Sequence, residues 1–237
     1  GGHVVYGVPG YKTHAKVALV VRREADGRLV RYSHVATGNY NAATARFYTD
    51  VGLVTSDPEL GAELNDFFNE LTGSVGAPMT PQALLLVAPH GMADSLLDRI
   101  EGEIGHARAG RSCGIRAKMN GLSDRAVNAA LYRASQEGVP VDLVVRALCT
   151  LRPGVEGLSD GIRVRSILGR FLEHARIYRF ENGGQPALYI GSADWRKRNL
   201  RRRVEVAAPV RDPGAVARLE SILDAEFADG TAWVLGP

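Results

Sequence analysis

Short apolar stretches set off by turn residues fill the first fifth of the chain. Val4–Val8 reads as a strand before the Pro9-Gly10 turn, Ala15–Arg22 as a second strand, and Asp26-Gly27 as the hairpin turn into a third, Leu29–Ala36. Ala42–Phe47 reads as one or two helical turns and Tyr48–Thr55 as extended chain. Asp57 followed by Pro58 starts a helix to about Leu71, because the carboxylate can cap free N–H groups and proline's fixed φ suits a first turn. Thr72–Pro81, rich in Gly, Pro and Thr, reads as a linker. Beyond it, strands at Leu84–Val87, Gly114–Met119 and Val141–Val145 alternate with helices at Gly91–Ala109 and from a Ser123 cap to Glu137. That alternation predicts an α/β layer with a largely parallel sheet. Strands at Ile162–Leu168, Ala175–Phe180, Ala187–Ile190 and Arg203–Ala207 and a helix from Asp212 to Phe227 complete the pattern.

The 237 residues, 45% of them hydrophobic, are enough for one large domain or two ordinary ones with a sizeable core. The longest apolar runs, Val17–Val21 and Leu84–Ala88, are too short to span a bilayer, and the opening residues lack the charged-then-apolar pattern of a secretion signal. Cys113 and Cys149 form neither a disulfide framework nor a metal-ligand spacing, so a cytoplasmic location is expected, with any membrane association made through partners. Charge is uneven. Pro140 to Arg203 holds thirteen Lys and Arg against six Asp and Glu, a local +7 in a chain whose net is +3. Localised positive charge attracts polyanions, though it also describes an ordinary solvated surface.

The candidate chemistry lies in a signature that occurs twice. His14-Ala15-Lys16 precedes the turn Gly38-Asn39-Tyr40-Asn41, and His174-Ala175-Arg176 precedes Gly191-Ser192-Ala193-Asp194-Trp195. In extended chain residues i and i+2 share a face, so each imidazole lies beside a cation. The cation can hold phosphate oxygens while the imidazole, with a pKa near neutrality, attacks phosphorus or moves a proton. One H-x-[KR] occurs often by chance, and two ordinary surface histidines are the competing account. His34, in RYSHVATGNYN, lacks an i+2 cation and reads as a supporting histidine; His3, His90 and His106 have no such context. After the second turn come Arg196, Lys197, Arg198, Arg201, Arg202 and Arg203, which would either line a channel for a phosphate chain or form a solvated stretch.

H-x-K followed by G-[ST]-x-N, twice, resembles the phospholipase D superfamily. Longer stretches are similar to the carboxy-terminal catalytic half of the bacterial polyphosphate kinase family of the first type: GYKTHAK, ATGNYNAATARFYTD, ASQEGVPVDLVVRALCTLRPGVEGLSD, RSILGRFLEHARIYRF, ENGG and YIGSADW. The resemblance covers nearly the whole chain. It implies an α/β fold of two phospholipase D-like lobes, each a mixed sheet flanked by helices, with residues 1–75 a partial first lobe and 76–237 the second. It implies reversible transfer of the ATP γ-phosphate to inorganic polyphosphate, with His14 as the phosphohistidine and His174 as the second catalytic histidine. Lys16, Tyr48, Arg146, Arg176, Asn39 and Asn41 are then the phosphate and nucleotide contacts, and Arg196, Lys197, Arg198 and Arg201 line the polyphosphate channel. Bottom-up, Tyr48 also reads as a rim aromatic, whereas Arg146 ends an apolar strand at the edge where α/β proteins bind ligands.

The superfamily's H-x-K-x4-D aspartate is absent, since position 21 is Val21, and Arg176 stands where the second copy would have lysine. Family members are several times longer, so the resemblance implies a fragment, with Gly1-Gly2 a remnant of its preparation. Magnesium is the implied cofactor, with its main associated residues upstream and no metal ligands here. ATP, ADP and polyphosphate are the implied partners; no nucleic acid and no transmembrane segment are expected. A shortened first sheet would leave an unpaired edge for a second copy to cover, giving a homo-oligomer. Two alternatives stay open: a phosphodiesterase or nuclease of the superfamily, and a non-catalytic polyphosphate-binding fragment.

Overall fold

In a computed structural model, which describes residues 2–73 and 83–237, the chain forms a nine-stranded mixed sheet with two smaller sheets beside it. It begins with β1 (Lys12–Thr13), the hairpin β2 (Val17–Arg23) and β3 (Leu29–Ala36), then β4 (Tyr48–Thr49), β5 (Gly52–Thr55) and α1 (Pro58–Leu71). There follow β6 (Leu86–Ala88), α2 (Met92–Arg108), β7 (Ile115–Met119), α3 (Arg125–Gln136), β8 (Val141–Val145) and β9 (Ile162–Ser166). The last elements are β10 (Leu172–Glu173), β11 (Ile177–Phe180), β12 (Ala187–Gly191), α4 (Lys197–Arg202), β13 (Arg203–Val210), α5 (Pro213–Ala228) and β14 (Trp233–Val234). The large sheet runs β1-β13-β12-β11-β7-β8-β9-β14, with β6 also on β13; β2-β3-β5 and β10-β4 form the small ones.

Three apolar clusters meet at β13. Ala207 joins the main core, where Leu96 and Ile100 of α2 and Val127 and Leu131 of α3 cover β7 and β8. Val204, Val206 and Ala208 pack with Leu60, Leu64 and Phe67 of α1, residues spaced to share one helical face. Val210 packs with Leu219 and Leu223 of α5. Each buried Val, Leu, Ile or Phe among them stabilises the fold by about 1.5–3 kcal/mol. The first copy of the signature is thereby fixed to the strand that carries the second core.

The helices start largely as their caps predict. Asp57 accepts from the N–H groups of Glu59 and Leu60, and Asp212 from that of Ala215. The cap of α3 is Asp124 rather than Ser123: the Asp124 carboxylate accepts from the N–H groups of Ala126 and Val127, while the N–H groups of Ser123 and Asp124 both donate to the carbonyl of Trp195. The sheet is mixed rather than largely parallel. Only β7-β8-β9 and the β1–β13 pair run parallel. β11 and β12 are joined by the tight Asn182–Gly184 turn and so must be antiparallel. Residues 4–8 form no strand; Val4, Val5 and Tyr6 are exposed, with no neighbouring strand to complete a ladder. Tyr48–Thr55 is broken at Asp50 and Val51 into two strands. The expected boundary at 75/76 and most of the expected linker lie outside the described residues. Among the described residues no helix is long and apolar enough to cross a membrane.

Gly191 ends β12 where it lies closest to β13: a Cβ there would sit 2.6 Å from the Ala207 Cα. Gly191→Ala must push the two strands apart and is expected to destabilise the chain by about 1–3 kcal/mol in urea unfolding.

Candidate active site

Both histidine–cation segments lie in the extended gap between a two-residue strand and a longer one. His14–Lys16 follows β1, whose Thr13 is in parallel register with Val204 of β13; His174–Arg176 follows β10, whose Glu173 is in register with Thr49 of β4. The parallel ladder continues through each histidine: the His14 N–H donates to the Val204 carbonyl at 2.8 Å, and the His174 N–H to the Thr49 carbonyl at 3.1 Å. The residue after each of those carbonyls is acidic. Glu205 Oε2 lies 2.8 Å from His14 Nδ1, and Asp50 Oδ1 lies 2.8 Å from His174 Nδ1. The imidazole of one copy is therefore held by the carboxylate of the other.

The turns complete this exchange. Thr37 donates its hydroxyl to Asp50 at 2.6 Å, and Ser192 donates its hydroxyl to Glu205. Thr37 N–H donates to the Val51 carbonyl and Ser192 N–H to the Val206 carbonyl, both at 3.0 Å, and each hydroxyl accepts the following strand's N–H. The structural repeat thus aligns Thr37 with Ser192 and Asn39 with Asp194, not Gly38-Asn39-Tyr40-Asn41 with Gly191-Ser192-Ala193-Asp194 as the sequence suggests. Each hydroxyl sits thirteen residues before its carboxylate.

A carboxylate facing Nδ1 fixes the proton there and leaves the Nε2 lone pair for the site. Glu205 is fully buried and also accepts from Asn199 Nδ2 at 2.7 Å, so it is held rigidly. Each cation donates to its own histidine's carbonyl, Lys16 at 2.5 Å and Arg176 at 2.7 Å. Arg176 Nη1 also lies 3.0 Å from His174 Nε2, and its Nε 3.2 Å from Asp194. Burial pushes the Lys16 ammonium down from 10.5 to about 8; Glu205 and Asp50 oppose this, and the positive Arg176 and Arg203 reinforce it. Burial, with Arg176 and Lys16 nearby, also lowers the His174 pKa against the opposing pull of Asp50. The balance favours the neutral form of His174. Arg176 Nη1 also donates to the Thr37 carbonyl of the first copy at 3.5 Å, so the two half-sites adjoin and share one space.

The other expected site residues divide into those the fold brings to this space and those it does not. The Tyr48 ring lies 4.8 Å from the His174 ring. Arg146 ends β8 and donates to Asn120 Oδ1 at 2.6 Å, while Asn120 Nδ2 donates to the His174 carbonyl at 3.1 Å. Asn39 is exposed, and Asn41 Oδ1 caps its own turn by accepting from the Ala43 and Thr44 N–H groups at 3.0 Å. Of the basic run, Lys197 and Arg198 are exposed on α4, and Arg201 pairs with Asp124 at 3.7 Å. Arg196 is drawn inward, packed where a Cβ on Gly121 would sit, with its Nε buried and unpartnered. His34 hydrogen-bonds Tyr40 at 2.8 Å and packs on Gly52, a supporting position.

Asp50, Glu205, Thr37 and Asn120 escape the sequence reading; the repeated thirteen-residue spacing is the signal that would have found the first three. Among the described residues no group of three or more His, Cys, Asp or Glu is placed to hold a metal ion. Asp50 and Glu205 are committed to imidazoles and Asp194 to Arg176, so this donor set does not fit a protein-held magnesium.

Fold and site together define a mixed α/β protein whose candidate site is built twice, one histidine per copy. The chain belongs to the polyphosphate kinase family: residues 1–77 match polyphosphate kinase C-terminal domain 1 and residues 85–237 match C-terminal domain 2. The polyphosphate kinase of Streptomyces coelicolor is 55% identical over 238 residues, covering 100% of this chain and 32% of the relative. That of Neisseria meningitidis serogroup C is 52% identical over 239 residues, covering 100% of this chain and 34% of the relative. The crystal structure of polyphosphate kinase from Porphyromonas gingivalis superposes with a TM-score of 0.90 at 39% identity, covering 98% of this chain and 36% of that one. The chain spans about a third of the length of the curated relatives it matches.

Lys16 loses its charge as pH rises through about 8. A bound phosphate stabilises the ammonium, so tripolyphosphate affinity is expected to fall several-fold between neutral and strongly alkaline pH. Calorimetry across that range should show the fall in the parent chain and its absence in Lys16→Met.

Proposed function

We propose that this chain carries the two catalytic histidines of a polyphosphate kinase, which transfers the γ-phosphate of ATP reversibly to inorganic polyphosphate through a phosphohistidine at His14. The observation that carries this reading is the pair of imidazoles with carboxylates on Nδ1 and cations at i+2. His14 Nε2 attacks the γ-phosphorus; an N–P bond forms as the bond from phosphorus to the β,γ-bridging oxygen breaks, and that electron pair leaves with ADP. A terminal oxygen of polyphosphate then attacks the same phosphorus, and the N–P electron pair returns to Nε2. Glu205, facing Nδ1, stabilises the positive charge that grows on the imidazole in the first step. Lys16, Arg176 and Arg146 bind the non-bridging oxygens, with Tyr48 beside them, and Arg196 extends the cationic lining toward the incoming chain. Asn39, Asn41, Lys197, Arg198 and Arg201 contribute less directly, from the rim.

His174 enters neutral, with Arg176 donating to its Nε2. Phosphate oxygens compete for that guanidinium and their charge raises the imidazole's proton affinity. His174 can then hold the proton exchanged with the leaving or attacking oxygen.

Labelling with γ-phosphate-labelled Mg-ATP tests this, on the chain and on a version extended to the length of its relatives. Acid-labile, base-stable label is expected in the parent protein and absent in His14→Ala. It is expected to form about a hundredfold more slowly in His174→Ala and roughly 10–100-fold more slowly in Glu205→Gln. Label surviving in His14→Ala, or cleavage of a phosphodiester without nucleotide, contradicts the reading.

A further inference from the structure

The two half-sites are not equally supported. Glu205 lies within the eight-residue β13, flanked in the sheet by β12, β6 and β1. Asp50 follows β4, a strand of two residues whose one ladder partner is the equally short β10. A ladder of this length does not hold register alone. Yet the 2.8 Å contact between Asp50 and His174 depends on that register, since the residues on either side of the ladder carry the two groups.

A side-chain clamp lies beneath it. Lys118 of β7 is almost fully buried; its Nζ donates to Glu173 Oε2 at 2.5 Å and to Glu226 of α5. Glu173 Oε2 also accepts from the Thr49 hydroxyl at 2.8 Å, and that hydroxyl lies 3.3 Å from the Leu172 carbonyl. The ammonium thus ties both residues next to the catalytic pair, Glu173 before His174 and Thr49 before Asp50, to the central sheet and the last helix. Two positions on, Asn120 donates to the His174 carbonyl, so the end of β7 grips the same segment twice. Among the described residues the first copy has no such clamp: the position of Glu173 is taken by Thr13, and the acid-bearing strand is already a core strand.

We propose that Lys118 is a positioning residue for phosphoryl transfer, acting through Glu173 and Thr49 to hold Asp50 against His174, with Glu226 anchoring the clamp to α5. The catalytic part of this inference rests on the function proposed above; the geometric part does not.

The experiment follows solvent exchange of the Nδ1 proton on each histidine by NMR of the 15N-histidine-labelled chain. In Lys118→Met the His174 Nδ1 proton is expected to exchange about tenfold faster, the worth of one hydrogen bond, while that of His14 is unchanged; Lys118→Arg should restore protection. If Lys118→Met does not fold, as losing a buried charge partner can cause, Thr49→Val decides. It removes only the clamping hydroxyl and should act in the same direction. In protein that turns over, kcat should fall about tenfold with the KM for ATP little changed. Unchanged His174 exchange in the folded variants, or equal acceleration at both histidines, overturns the proposal. Loss of labelling at His14 in the parent protein would instead defeat the functional reading and leave the clamp standing.

Discussion

The imidazoles of His14 and His174 are each oriented by a carboxylate that belongs to the other copy of the repeat, and the rest of the site follows from that exchange. A histidine and its own following strand could drift together without loss of contact; a histidine tied to the other copy's strand cannot. Glu205 to His14 and Asp50 to His174 therefore act as two crossed braces. They fix which nitrogen of each ring faces the shared space and keep the two rings facing it together. The hydroxyls of Thr37 and Ser192 lock the braces, and the i+2 cations close the ring of contacts by binding the histidine carbonyls.

Pseudo-symmetry of contacts does not bring equality of environment. One brace lies in a fully buried core strand, with Glu205 taking bonds from a hydroxyl and an amide. The other stands at a break in the chain, more accessible and secured by a buried ammonium from a neighbouring strand. His174 carries Arg176 directly on its Nε2 and is driven to the neutral form by burial. The two rings are thus held alike at Nδ1 and differ in their surroundings.

The histidines and cations were legible because their relation is local: two residues of extended chain put them side by side whatever the fold. The edge position of Arg146 and the caps of α1 and α5 were legible for the same reason. The braces were not, since Glu205 lies 191 residues from His14 and Asp50 lies 124 from His174, and only the tertiary ladders bring them together. Ser123 and Asp124 are both good caps by type, and it is the Asp124 carboxylate that meets the free N–H groups of Ala126 and Val127. Asn41 looks like a ligand in a glycine-rich turn, but its amide oxygen satisfies the turn itself. Strand alternation with helices suggested a parallel sheet, whereas the tight Asn182–Gly184 connection imposes an antiparallel centre.

The most direct test of the crossed braces is the tautomer of each imidazole, read from long-range 1H–15N correlations of the 15N-histidine-labelled chain at mildly alkaline pH. Both His14 and His174 are predicted to carry the proton on Nδ1, with Nε2 unprotonated. A proton on Nε2 of either ring would mean that its carboxylate does not hold it, and would contradict the account of how this site is built.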